Sequence, residues 1–175
     1  DLIEEIGRII GYDRIKGKLP ILNTKIGNRT NRAKLIRNIR DRLCSLGLNQ
    51  VITYSLTSEK TNTLFNEIKY DSIAVLDPMS EDKKVLRKSI IPSLISVYDY
   101  NASRNMKNVS IFETGSIYYK NESYVEEAVV AGLLSGDYNG NLWQNSIPKI
   151  DFYTLKGVIC QQKNMFLLSY KSAHL

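Results

Sequence analysis

Three carboxylates open the chain: Asp1, Glu4 and Glu5. At spacings of i, i+3 and i+4 a helix brings such side chains near one turn. Three hard oxygen donors suit Mg²⁺, which fills its remaining positions with water or with donors from elsewhere. The same acids would also complement the macrodipole at a helix N-terminus with no metal involved. The pairs Glu81-Asp82 and Glu126-Glu127 lie in polar stretches and are expected on solvated surface. His174 is the only histidine. This excludes a Ser-His or Cys-His nucleophile and a His-based zinc site. A Gly-rich phosphate loop, a P-loop lysine and a dinucleotide fingerprint are also missing from the sequence. No catalytic residue is assigned.

Charge is the second signal. The chain carries a net +6, and residues 25–42 alone hold seven Lys/Arg against Asp41, so the remainder is balanced. In that segment Leu35, Ile36, Ile39, Leu43 and Leu46 fall on one helical arc of about 100°, with Lys34, Arg37 and Arg40 behind it. The spacing predicts an amphipathic helix ended by Gly47. Its basic back could meet RNA phosphates, an acidic partner or only solvent.

These groups need elements to hold them. At 175 residues, 43% apolar and 24% charged, the chain suits one ordinary globular domain with an appendage. It has no apolar run long enough for a membrane-spanning helix. The opening at Asp1, with no Met and no signal-peptide pattern, suggests a start internal to a longer chain. Cys44 and Cys160 are too few for a disulfide scaffold, sit among apolar residues and are expected as reduced core cysteines, which points to the cytoplasm.

Residues 1–10 read as a helix with Asp1 near its N-cap and a stop at Gly11. Lys16 to Asn31 reads as a connector, so residues 1–22 are expected to close a preceding domain and 23–175 to form the main one. Strands are expected over Gln50–Leu56 and Ser72–Leu76, with a short helix over Ser58–Phe65 capped by Ser58. Ser89 and Pro92 suit the start of a helix reaching about Asn105, with Leu94, Ile95 and Tyr98 buried. Val109–Tyr119 and Glu127–Ser135 predict an antiparallel hairpin turning near Asn121. Asp151–Lys163 returns to helical spacing with Phe152, Leu155, Val158 and Ile159 on one face. The class is α+β.

Several ordered blocks resemble one family. DLIEEIGRIIGYDRI with Leu19-Pro20, LGLNQVITYSLTS, LDPMSEDKKVLRKSIIPSLISVYDYNASR, VSIFETGSIY, VAGLLSG with Trp143, and DFYTLKGVI are similar to the β subunit of bacterial-type phenylalanine–tRNA ligase (phenylalanyl-tRNA synthetase). The likeness runs from residue 1 to about residue 160. Asn49-Gln50 stands where an acidic residue is usual, and Asp77 where Asn is customary.

The resemblance implies a class II synthetase-like core, an antiparallel sheet flanked by helices, that has lost its catalytic residues. Phe112-Glu113 has no arginine beside it, in keeping with a domain that does not grip ATP, since that needs arginines on the phosphates. Such a core pairs with an α subunit in an (αβ)₂ assembly that joins phenylalanine to tRNA(Phe) using ATP. The domain itself would act as a scaffold. The resemblance also assigns Asp1, Glu4 and Glu5 to a Mg²⁺ site near the α subunit, together with an upstream aspartate that is not in this sequence. Pro78, Arg87, Ser89 and Pro92 fall in a block assigned to subunit contact, with internal packing as the alternative. Arg87, in an apolar stretch, needs a carboxylate or carbonyl partner. No membrane or DNA partner is implied. A stand-alone RNA-binding module built on residues 25–42, or a regulatory synthetase paralogue, are the alternatives.

Overall fold

The computed structural model describes residues 1–21, 27–65, 68–138 and 149–161. The expected domain boundary at 22/23, Lys25, Trp143, His174 and the tail from Lys163 lie outside the described residues. The chain divides into two units, Asp1–Thr30 and Asn31–Leu175.

In the first unit, α1 (Leu2–Ile10) starts at Asp1 as N-cap and stops at Gly11, whose φ of 92° ends the helical run. The Asp1 side chain makes no capping hydrogen bond. Gly7 is buried because the Tyr12 ring of the following single turn lies against it. After that turn, residues 15–21 and 27–30 have no regular secondary structure.

The second unit is α+β. Helix α2 (Asn31–Ser45) buries Ile39 and Leu43, with Leu35 and Leu46 packed beside them. Its end is a Schellman motif. Gly47 at φ 86° donates to the Cys44 carbonyl at 2.9 Å, Leu48 donates to the Leu43 carbonyl at 3.1 Å, and Leu48 is buried with Leu43 in the same cluster. A side chain at position 47 would strain this left-handed turn.

The hairpin is the centre of the unit. Strands β4 (Val109–Lys120) and β5 (Tyr124–Ser135) pair antiparallel along their whole length, from Val109 opposite Ser135 to Lys120 opposite Tyr124. Strand β1 (Asn49–Gln50) lies on the other side of β4 and runs parallel to it. The sheet is therefore antiparallel along the long hairpin, as expected, with one short parallel strand added at β1. A parallel pair needs a long crossover. Here the chain between β1 and β4 supplies α3 (Glu59–Asn62), β3 (Val85–Leu86) and α4 (Ile91–Ala102).

Alternation along β4 builds two cores. Phe112, fully buried, faces Ile39, Leu43, Leu48 and Val158. Val109, Ile111 and Ile117 point the other way, onto Ile90 and Leu94 at the start of α4. In α4, Leu94 is buried and Ile95 and Tyr98 are half-buried, matching the expected stripe; the helix stops at Ala102 rather than near Asn105.

Several expectations need correction. Gln50–Leu56 is not one strand. Val51 donates to the Phe112 carbonyl of β4, but by Leu56–Thr57 (β2) the chain has changed partner and pairs antiparallel with β3. Ser72–Leu76 is held by an isolated bridge at Ala74 and by single backbone bonds, not by a continuous ladder. Ser58 does cap α3, accepting from the Thr61 N–H at 3.1 Å, but that helix ends at Asn62. Cys44 and Cys160 are both exposed, not core. Cys44 is one residue past Leu43, and the 100° turn of a helix carries it off the buried face. The helix over residues 152–161 buries Val158, whereas Phe152 remains 72% exposed and Ile159 49%.

Asp151 precedes that last helix and accepts from the Thr154 N–H at 2.8 Å and the Thr154 hydroxyl at 2.9 Å. The backbone bond from Thr154, then the hydroxyl bond, hold its carboxyl below the ordinary value against a smaller opposing effect of burial. A lowered folded pKa contributes stability above the unfolded carboxylate pKa, and that contribution is lost as pH falls through the folded one. Acidification should therefore loosen the first turn of this helix before the hairpin, and Asp151→Ala should loosen it at neutral pH. Amide hydrogen exchange along 152–161 measures both; unchanged protection in the variant would remove the cap from the account.

Candidate functional site

The most concentrated polar chemistry of the second unit lies inside it. Arg87 directly follows β3, and its side chain is only 3% exposed. Glu113 lies at the middle of β4, equally buried, between Ile111 and Ile117 on the α4 face. Arg87 Nη2 meets Glu113 Oε1 at 2.8 Å. Its Nη1 donates to the Thr53 hydroxyl at 2.8 Å and its Nε to the Ser116 carbonyl at 3.0 Å. The Thr53 hydroxyl in turn donates to Glu113 Oε2 at 2.6 Å. Both carboxylate oxygens and all three guanidinium nitrogens thus have partners.

Three chain segments meet there. The Arg87 N–H donates to the Ser55 carbonyl at 2.9 Å, and its carbonyl accepts from the Tyr118 N–H at 2.9 Å. The 53–55 stretch, β3 and β4 are thereby fixed to one another. Gly115 is required for the same reason: a Cβ there would collide with the Arg87 guanidinium and lie 3.1 Å from Glu113 Oε1. An absent side chain lets the arginine reach its carboxylate.

A second buried polar point supports the first. Asn62, at the end of α3, donates to the Ser72 hydroxyl and the Leu86 carbonyl, each at 3.1 Å, and accepts from the Lys88 N–H at 2.7 Å. Lys88 directs its ammonium onto the Tyr70 carbonyl at 3.0 Å.

The other expected site residues are placed as follows. Pro92 is buried in the first turn of α4, Pro78 is half-buried, and the half-buried Ser89 accepts from the Ile91 N–H at 3.3 Å. Of this group only Arg87 enters the ion-pair network. Lys34 and Arg37 are exposed on α2 and Arg40 is half-buried; Arg37 lies 3.5 Å from Asp41 one turn on. Glu81, Asp82, Glu126 and Glu127 are on the surface as expected. In the first unit Asp1, Glu4 and Glu5 are exposed, and Glu5 accepts two bonds from Arg8, at 2.7 and 3.1 Å. Among the described residues no three His, Cys, Asp or Glu side chains gather closely enough to hold a metal ion.

Thr53, Glu113 and Gly115 are the members of the network that sequence reasoning did not select. The available signal was Glu113 itself, the one acid in an otherwise apolar strand core, matched to an arginine that needed a carboxylate.

Residues 15–168 match the family model for the phenylalanyl tRNA synthetase beta chain CLM domain. The chain belongs to this family. It is 39% identical over 181 residues to the phenylalanine–tRNA ligase beta subunit of Staphylococcus aureus, covering all of this chain and 23% of that protein. To the subunit of the same name from Geobacillus kaustophilus (strain HTA426) it is 40% identical over 162 residues, covering 91% of this chain and 20% of the other. The chain therefore spans about a fifth of the length of these curated relatives. Among solved structures it overlays on a pyrrolysyl tRNA synthetase from Desulfitobacterium hafniense with a TM-score of 0.47 and 22% identity, over 58% of this chain and 37% of that one. An ATP phosphoribosyltransferase regulatory subunit/histidyl-tRNA synthetase from Bacillus halodurans C gives 0.49 and 15%, over 69% and 34%. Among the described residues of the CLM chain, no helix is long and apolar enough to cross a membrane.

Removing one partner of a buried ion pair strands the other charge, at a cost of about 3–5 kcal/mol. Arg87→Met and Glu113→Leu should each lose stability of that order, while the double variant Arg87→Met/Glu113→Leu should recover most of it. Gly115→Ala should cost about 1–3 kcal/mol by overpacking against the guanidinium. Urea denaturation checks all four. Additive losses in the double variant would mean that the two side chains act independently.

Proposed function

We propose that this chain is the non-catalytic, class II synthetase-like core of a phenylalanine–tRNA ligase β subunit. Its work is to scaffold an α subunit, within an (αβ)₂ enzyme that attaches phenylalanine to tRNA(Phe) with ATP in the cytoplasm. The family match over residues 15–168 carries this reading. The geometry supports it. A site that handles ATP presents cationic donors to the phosphates. Here the arginine best placed in the core has its donors committed to Glu113, Thr53 and Ser116.

Contact with tRNA through Lys34, Arg37 and Arg40 belongs to the same proposal, supported by the concentration of positive charge on and just before α2. Mg²⁺ at Asp1, Glu4 and Glu5 would require Glu5 to leave Arg8 and further donors from outside this chain. A chain alone that binds Mg²⁺ tightly in calorimetry would contradict that statement.

Co-purification with the cognate α subunit over a sizing column at moderate salt is the decisive experiment. A heteromeric peak is expected, with no aminoacylation by the chain alone. A chain that is folded by circular dichroism and never joins the α subunit would overturn the scaffold reading. Tight, salt-sensitive RNA binding by that chain would favour the RNA-binding module instead.

A further inference from the structure

On the edge of β4 that faces away from β5, strand β1 runs only as far as Val51, whose N–H donates to the Phe112 carbonyl at 2.9 Å. The register there sets Asn49 opposite Ile111 and Gln50 opposite Phe112. Carried on in the same register, the strand would set Thr53 opposite Gly115 and Ser55 opposite Ile117. A parallel ladder would then join the Ser55 N–H to the Ser116 carbonyl and the Ser55 carbonyl to the Tyr118 N–H.

Arg87 has taken three of those four groups. Its Nε donates to the Ser116 carbonyl at 3.0 Å, its carbonyl accepts from the Tyr118 N–H at 2.9 Å, and its own N–H donates to the Ser55 carbonyl at 2.9 Å. One residue therefore stands where the continued strand would lie, with its backbone and its side chain both engaged.

Burial does not make this choice. Gln50–Leu56 alternates in sequence as a single strand would. None of residues 51–57 is fully buried, and Ile52 and Tyr54 are 88% and 72% exposed. Register is specified strongly where one face of a strand is buried and weakly where it is not. Nor does the new pairing offer a longer ladder. Strands β2 and β3 pair only Leu56 with Leu86 and Thr57 with Val85, fewer pairs than the run from Ile52 to Leu56 would add along β4.

We propose that Arg87 is a register lock: it occupies the β4 edge against residues 53–55 and so sends the segment across to β3. Glu113 and Thr53 hold the lock in place. The guanidinium binds Glu113 Oε1, the Thr53 hydroxyl and the Ser116 carbonyl at once, which needs the planar fork of an arginine. Buried polar groups set register in this way in coiled coils, at a cost in stability. A lock differs from a stabilising contact in one respect. Replacing it by an apolar pair leaves stability intact and releases the alternative pairing.

The test uses the full chain carrying Arg87→Met/Glu113→Leu, which removes the fork and both charges and retains the backbone groups of residue 87. At near-parental stability in urea, two signals are expected together. The amides of residue 87 and Tyr118 should exchange at least about tenfold faster relative to those of β5. A nuclear Overhauser contact between the Ser55 and Ile117 amides, absent from the parent, should appear. Unchanged protection at 87 and 118, or faster exchange without the Ser55–Ile117 contact, would overturn the lock and leave the pair as a stabilising contact. Faster exchange spread evenly over the chain would overturn it too, because that reports global opening. If the double variant fails to fold, Arg87→Lys, which keeps the charge and loses the fork, is read by the same two signals.

Discussion

The Arg87–Glu113 ion pair is the constraint around which the second unit is organised. Taking two opposite charges out of water costs several kcal/mol per ion, and the cost is offset only where the geometry is good and the remaining hydrogen-bonding sites are filled. Here those conditions are met by groups from separate stretches of chain: the Thr53 hydroxyl, the Ser116 carbonyl and the missing side chain at Gly115. None of these partners can shift a register position without stranding a buried charge. The pair and its hydrogen bonds thus tie together the 53–55 stretch, β3 and β4.

This constraint explains the shape of the sheet. After Val51 the chain could have continued along β4 as a longer strand. Instead Thr53 turns in to the ion pair, and the Ser55 carbonyl is taken by the Arg87 N–H. The segment leaves the main sheet and joins β3, so β1 is short and β2 lies in a second, two-stranded sheet. On the opposite face of β4, Phe112 is packed by α2 and by Val158 with no polar group among the buried members. One strand therefore carries two different interiors, a dry one on the α2 side and a partly ionic one on the α4 side.

The same arrangement separates structure from surface function. Among the described residues the buried polar groups Arg87 and Glu113 are turned inward and paired, while α2 keeps Arg32, Lys34 and Arg37 on the surface. Membership of the phenylalanyl tRNA synthetase beta chain CLM family rests on the match over residues 15–168.

The local elements were legible in the sequence wherever one physical rule acted alone. The basic amphipathic helix, its glycine stop, the Ser58 cap, the Leu94 stripe and the β4–β5 hairpin follow from periodicity and from residues with special backbone preferences. Arg87's need for a carboxylate or carbonyl was equally legible, because an unpaired buried guanidinium is too costly to exist. What the sequence could not state is which acid answers it, since Glu113 lies 26 residues away and only the folded chain brings the two together. Sidedness was lost for the same reason: the exposure of Cys44, Cys160 and Phe152 depends on what the neighbouring elements cover, not on the apolar residues next to them in sequence. The break of 50–56 into two sheets and the parallel pairing of β1 with β4 also came from outside the segment. A strand's hydrogen-bond partners belong to other stretches of chain, so alternation alone determines its two faces, and tertiary structure decides what each edge meets.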